Sequence, residues 1–353
     1  MDRLISILLL PFALIFDVIT RFRNLLYEIN VFKTIEFEIP IISVGNIRVG
    51  GTGKTPFAAY MVDLISKKSE CSTLSRGYGR KTEGFLEVFQ ESLTKSVGDE
   101  ALMLKKRFGD SAGVYVCEDR AYAIPHILYE RPQTRAIILD DAFQHRRVNR
   151  DLNILLSDYS HPFYEDNLMP SGRLREGRYA VKRADCIVIT KCPDSINGDE
   201  RQQIITSIQN CTDFDTPVFF SSIKYQEPVP VFHKSLKCGT DIILFTGIAE
   251  PKPLLQYVES EFNLIDSARF PDHHEFSLRN LKKLIRLHQK TDKGGTSFVC
   301  TEKDMVRLFR PEIVEFLKEV PVFYIPIDIK MIECEGEFAS FVWKKIENIH
   351  GVN

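Results

Sequence analysis

Short, uninterrupted apolar runs alternate with longer amphipathic segments along most of the chain. "IPIISVG" (39–45), "AIILDD" (136–141), "LNILLSD" (152–158) and "DCIVITK" (185–191) place hydrophobic residues at consecutive positions. Strands of that kind are buried on both faces, as in a parallel sheet. Amphipathic patterns such as "TPFAAYMVDLISKK" (55–68) follow them, and strand–helix alternation predicts an α/β fold with ligands at the carboxyl ends of the strands. The stretch "SIKYQEPVPVFHKSLKCG" (222–239) changes character, with polar residues, two prolines and period-two alternation, and is expected to be a β-ribbon linker. Beyond it a second α/β set is predicted, with strands at "DIILFTGIA" (241–249), "SFVCTEKD" (297–304) and "VPVFYIPIDI" (320–329) and helices around 251–262, 277–290 and 310–318. The expected division is therefore 1–225 and a smaller unit, 226–353.

The N-terminus departs from this pattern. "LISILLLPFALIF" (4–16) is continuously apolar, and the next stretch is amphipathic and basic. The run falls short of the roughly 20 residues that span a bilayer, and Pro11 is expected to break or kink a helix there. A buried core helix and a cleaved signal are two readings, although Asp2 precedes the run and no small-residue cleavage site follows. The favoured reading is an interfacial helix, because Arg21, Arg23, Phe12, Phe16, Phe22 and Tyr27 lie beside the apolar run. That places the protein on a membrane's cytosolic side, peripheral or monotopic.

Composition narrows the function classes. The chain has 353 residues, 44% of them hydrophobic, which allows a large core in about two domains. A net charge of −2 lacks the basic excess of a nucleic-acid binder. The 8 cysteines are scattered without a C-x-x-C pair, as expected of reduced thiols in a cytosolic protein.

The clearest chemical motif is "RVGGTGKT" (48–55), which fits the phosphate loop G-x-x-x-x-G-K-[ST] except that Arg48 replaces the first glycine. Its setting, strand, Gly-rich turn, then helix, is what the mechanism requires. Val49, Gly50, Gly51, Thr52 and Gly53 are expected to wrap backbone N–H groups around ATP phosphates, where the helix dipole also favours anions. Lys54 is expected to bridge the β- and γ-phosphates, and Thr55 to hold Mg²⁺. Asp140 and Asp141, ending a buried strand, suit the acidic metal site, although two aspartates can equally cap the next turn. Thr190 and Lys191 resemble only loosely a base-reading pair. Taken alone, Asp99 and Glu100 are explained as first-turn acids of a helix, His273 and His274 as solvated or hydrogen-bonded, and Arg173, Arg175, Arg178, Lys182 and Arg183 as a solvated charged face.

In their order along the chain, these segments and others are similar to the tetraacyldisaccharide 4'-kinase (lipid A 4'-kinase) family of Gram-negative bacteria. The matching stretches are "SVGNIRVGGTGKTP" (43–56), "LSRGYGRK" (74–81), "VGDEALML" (97–104), "LDDAFQHRR" (139–147), "RLREG" (173–177), "FTGIAEP" (245–251), "FPDHHEF" (270–276) and "CTEKDMVRL" (300–308), spanning nearly the whole chain. The resemblance implies a P-loop NTPase-type domain joined to the smaller α/β domain. It also implies transfer of the ATP γ-phosphate to the 4'-hydroxyl of a tetraacylated glucosamine disaccharide 1-phosphate, giving lipid IVA at the cytoplasmic face of the inner membrane. By the family pattern Asp99 is the catalytic base, His273 its partner, and Asp140 and Asp141 the acids near the metal. Arg76, Arg80, Arg146, Arg147, Arg173 and Arg175 become candidates to clamp phosphates. Ala142 stands where the family usually has Gly, and "PSGRLRE" differs from the usual "PAGPLRE", departures that touch the substrate-side loop. The rival class is a P-loop GTPase of the metal-carrier or protein-targeting type, which should offer N-K-x-D where this chain has "ITKCPD" (189–194).

Overall fold

The computed structural model describes residues 7–212, 216–232, 236–291, 295–332 and 335–350. Positions 4–6 of the apolar run lie outside these residues, as do 233–235 of the expected linker. The strands are β1 (Ile41–Gly45), β2 (Cys71–Ser75), β3 (Leu86–Glu87), β4 (Gly113–Val116), β5 (Ala136–Asp140), β6 (Leu152–Asp158), β7 (Cys186–Thr190), β8 (Val218–Tyr225), β9 (Val229–Pro230), β10 (Asp241–Thr246), β11 (Asn263–Arg269), β12 (Ser297–Thr301), β13 (Val322–Ile325) and β14 (Ile327–Met331). Nine of them form one sheet in the order β14-β8-β7-β6-β1-β5-β2-β4-β3, and the other five form a second, β11-β10-β12-β13-β9.

The four uninterrupted runs became β1, β5, β6 and β7, every residue of which is buried. They pair in parallel with β1 in the middle, Val44 opposite Asp140 on one side and Ile154 on the other. Helix α1 (Leu10–Glu28) lies at the N-terminus, α2 (Lys54–Ser66) follows the loop after β1, and α3 (Asp99–Phe108) precedes β4. The loop after β1 therefore opens beside the end of β5, at the position where an α/β sheet binds its ligands.

Pro11 marks the expected break: Ile7 and Leu8 are helical, Leu9 is a turn, and α1 starts afresh at Leu10. The proline sits in the first turn of α1, where its missing N–H leaves no bond unmade. Ala13, Thr20 and Asn24 are the buried side of α1, while Phe12, Leu14, Ile15, Val18, Ile19 and Phe22 are exposed. Among the described residues, no helix is long and apolar enough to cross a membrane.

The expectation that everything after residue 225 forms the second unit needs correction. The run 320–329, one apolar stretch in sequence, is split at Pro326 into β13 of the second sheet and β14 of the first. Proline cannot donate to a ladder, so the run changes sheets there. β14 pairs antiparallel with β8, so the chain crosses between the units twice, after β8 and again at Pro326. The last helix, α4 (Glu335–His350), then covers the first sheet, with Phe338 fully buried among Phe57, Tyr60 and Phe219.

Because Phe57 and Tyr60 belong to α2, the chain's last helix holds the helix that opens the phosphate loop. Phe338→Ala should cost about 3–5 kcal/mol, the usual loss for a truncated core aromatic. Urea unfolding followed by fluorescence of Trp343, the single tryptophan and a neighbour on α4, will measure it.

Candidate active site

The loop Arg48–Gly53 turns from β1 into α2, and Gly53 takes a left-handed φ of 78° that a side chain would strain. The turn is braced from three directions. Asn46 Nδ2 donates to Thr52 Oγ1 at 2.6 Å, Thr190 Oγ1 donates to the Thr52 carbonyl at 2.9 Å, and Val49 N donates to the Arg173 carbonyl at 2.8 Å. Thr190 thus buttresses the loop from beneath. Lys191 is held by Asp158 at 2.7 Å and Glu250 at 3.0 Å. Arg48, the apparent blemish, donates through Nε to Asp166 Oδ2 at 2.6 Å with both side chains largely buried. It ties the phosphate loop to the basic loop that follows Asp166, a service glycine cannot perform.

Lys54 Nζ lies 3.9 Å from Asp141 Oδ2. The two expected metal-site acids have different surroundings. Asp140 is buried, accepts from Thr55 Oγ1 at 3.1 Å through Oδ2, and its Oδ1 has no partner among the described residues. Burial first, then the Glu100 and Asp141 charges, push its carboxyl up to about 7. An orphaned carboxylate oxygen beside a hydroxyl is the hard oxygen set that Mg²⁺ takes, so these two residues fit the ion. Asp141 is instead gripped by Arg175 Nη1, at 2.9 and 3.1 Å to its two oxygens.

Across from this loop stands Asp99, at the start of α3 and almost fully buried. Gly98 permits the approach: its φ is 87°, and an added Cβ would sit 2.9 Å from the Tyr78 carbonyl. Asp99 Oδ2 bonds His273 Nδ1 at 2.9 Å and accepts from Arg307 Nε at 3.1 Å and from Arg307 Nη2. Asp99 Oδ1 accepts from Glu100 N at 3.0 Å. Burial alone would push this carboxyl up. The His273 bond and the Lys303 and Arg307 charges outweigh it and hold Asp99 well below the ordinary carboxylate range. His273 sits in the loop after β11, its ring 5.3 Å from that of Tyr78.

The structure therefore brings Lys54, Thr55, Asp140 and Asp141 together, and Asp99 with His273. His274 is apart, stacked on Phe270 with its Nε2 3.2 Å from Asn280 Oδ1. Of the phosphate-clamp candidates, Arg80 is held by Glu118, Arg146 by the Asn24 carbonyl, Arg147 by Asp119 and Arg175 by Asp141, while Arg76 and Arg173 are exposed. Sequence reasoning missed Arg307, Lys303 and Asn46. Only the motif "CTEKDMVRL" signalled the first two, and it says nothing of Asp99.

Comparison with known proteins agrees with this geometry. A sequence profile of the family "Tetraacyldisaccharide-1-P 4'-kinase" matches residues 5–347. The chain is 36% identical to the tetraacyldisaccharide 4'-kinase of Cytophaga hutchinsonii, covering 97% of this chain and 96% of that one. It is 39% identical to that of Parabacteroides distasonis, covering 96% and 94%. Its fold is similar to a crystal structure of the "apo" form of LpxK from Aquifex aeolicus in complex with ATP, with a TM-score of 0.75 and 27% identity over 97% of this chain and 99% of that one.

Arg48→Gly, which restores the standard phosphate-loop pattern, should weaken the protein. Loss of the Asp166 bond is expected to cost about 1.5–3 kcal/mol. Thermal unfolding and ATP-titration calorimetry on the same variant will check that stability falls and ATP affinity does not rise.

Proposed function

The chain belongs to the tetraacyldisaccharide-1-P 4'-kinase family, and on that premise we propose that it transfers the γ-phosphoryl group of ATP to the 4'-hydroxyl of a tetraacylated glucosamine disaccharide 1-phosphate, giving lipid IVA. The observation that carries the reading is the Asp99–His273 bond at 2.9 Å, which joins the phosphate-loop unit to the second unit. A kinase needs a residue to receive the acceptor's proton, and a GTPase has no use for a sugar acceptor. The GTPase alternative is not favoured, because the family match spans the chain.

Phosphoryl transfer asks mainly for positioning and charge neutralisation. The loop amides and Lys54 hold the donor phosphates. Thr55 and Asp140 would hold Mg²⁺, with Asp141 beside them on Arg175 and Lys54. An ion held there would supply charge neutralisation to the donor phosphates. With Oδ2 of Asp99 saturated by His273 and Arg307, Oδ1 is the oxygen left to meet the acceptor hydroxyl. Such a transition state is loose and the hydroxyl loses its proton late, so an ionised carboxylate suffices to orient the nucleophile and then take the proton.

The lipid acceptor accounts for α1. One side of that helix is fixed to the protein through Arg23 and Asn24 on Glu176, at 3.0 and 3.2 Å, and its other side presents apolar residues to the surroundings. We assign that side to the cytoplasmic face of the inner membrane, where acyl chains and helix share the same apolar layer.

Incubation with γ-labelled ATP and the tetraacyl disaccharide 1-phosphate should yield labelled lipid; release of inorganic phosphate alone, preferentially from GTP, would refute the kinase. Asp99→Ala and His273→Ala should each lower kcat about 10²–10⁴-fold while the KM for ATP changes little. Leu14→Glu combined with Val18→Glu, both at exposed positions, should leave the fold intact and reduce sedimentation with anionic vesicles; unchanged sedimentation removes α1 from membrane binding.

A further inference from the structure

The segment "CTEKDMVRL" (300–308) has entered the site so far only through Arg307 on Asp99 and the Lys303 charge, yet its side chains flank both members of the Asp99–His273 pair. Lys303 and Arg307 are four residues apart on consecutive helical turns, Glu302–Met305 and Val306–Leu308, and so point to one side. Lys303 Nζ lies 3.2 Å from His273 Nε2 and 3.2 Å from Glu100 Oε1. Arg307 gives Nε and Nη2 to Asp99 and Nη1 to Asp304 Oδ1 at 2.8 Å and to the Gly247 carbonyl at 2.9 Å. Asp304, fully buried, is itself fixed by Thr246, Thr301 and Gly247 N.

We infer that Lys303 and Arg307 are positioning residues for the transfer, acting through His273 and Asp99 respectively. An ammonium can only donate, so His273 Nε2 accepts from Lys303 and the ring hydrogen sits on Nδ1, directed at Asp99. One imidazole tautomer is thereby selected, and the dyad bond has a fixed direction. Arg307 grips one carboxylate oxygen from two nitrogens, so Asp99 cannot rotate and Oδ1 keeps its aim. Its far nitrogen is anchored in the second unit, on a network already complete without the first.

The inference rests on the kinase reading, and the experiment separates the two. Lys303→Met should lower kcat about 10- to 100-fold, the scale of a misplaced catalytic group, with the KM for ATP within about twofold. Lys303→Arg, which keeps a cationic donor, should recover most of that loss. In a His273→Ala background, Lys303→Met should have no further effect on kcat, because its target is gone. Arg307→Lys should behave likewise against Asp99→Ala, and thermal unfolding of each variant confirms that it is folded. Wild-type kcat in Lys303→Met, or losses that multiply in the double variants, overturns the inference. Wild-type kcat in His273→Ala instead overturns the dyad itself.

Discussion

An ionised carboxylate as deeply buried as Asp99 is tolerated only where donors surround it. Here every side-chain donor comes from the second unit: His273 from the loop after β11 and Arg307 from the turns after β12. The arrangement of the two units follows from that demand. The chain crosses between them twice, after β8 and again at Pro326 before β14, and the segments that follow β11 and β12 reach the start of α3. Arg107 on α3 reinforces the joint through Glu302, 3.8 Å away in the second unit, and through the Ile327 carbonyl at 2.9 Å and Asp328 on β14, just past the return crossing.

Donor and acceptor chemistry are therefore built by different means. The phosphate loop is a local construction in which β1, eight residues of turn and α2 carry the residues proposed to hold the donor phosphates. Distant contacts only brace it, as Thr190, Arg173 and Phe338 do. The acceptor side has no local core: Asp99 and Arg307 are separated by 208 residues and Asp99 and His273 by 174.

That difference explains what the sequence discloses. β1, β5, β6 and β7 were legible because strands buried on both faces must be apolar throughout. β2, "CSTLS", and β4, "GVYV", are equally buried in the same sheet, but small polar residues or shortness hide them from the same test. The run 320–329 was legible as strand, but its division between two sheets was not, since hydrophobicity does not say which partner covers it. The phosphate loop could be found from spacing alone, whereas Asp99 and His273 were found only through resemblance. Lys303 and Arg307 stayed silent because a Lys and an Arg four apart on a helix are ordinary until their partners are known. Arg48 misled in the other direction: a pattern treats it as a defect, and only its bond to Asp166 shows what it holds.

A kinase must also avoid giving its phosphate to water, and the charge balance at Asp99 bears on that. Burial pushes this carboxyl up, and only the His273 bond and the Lys303 and Arg307 charges reverse the direction. Take those groups away while Asp99 stays buried, and the balance moves toward the neutral acid. A protonated carboxyl accepts no proton and orients no nucleophile. On the proposed role of Asp99, activation of a hydroxyl thus depends on the donors that the second unit brings to the start of α3. Dividing one carboxylate's environment between two units is therefore a way to make the chemistry conditional on assembly of the whole site.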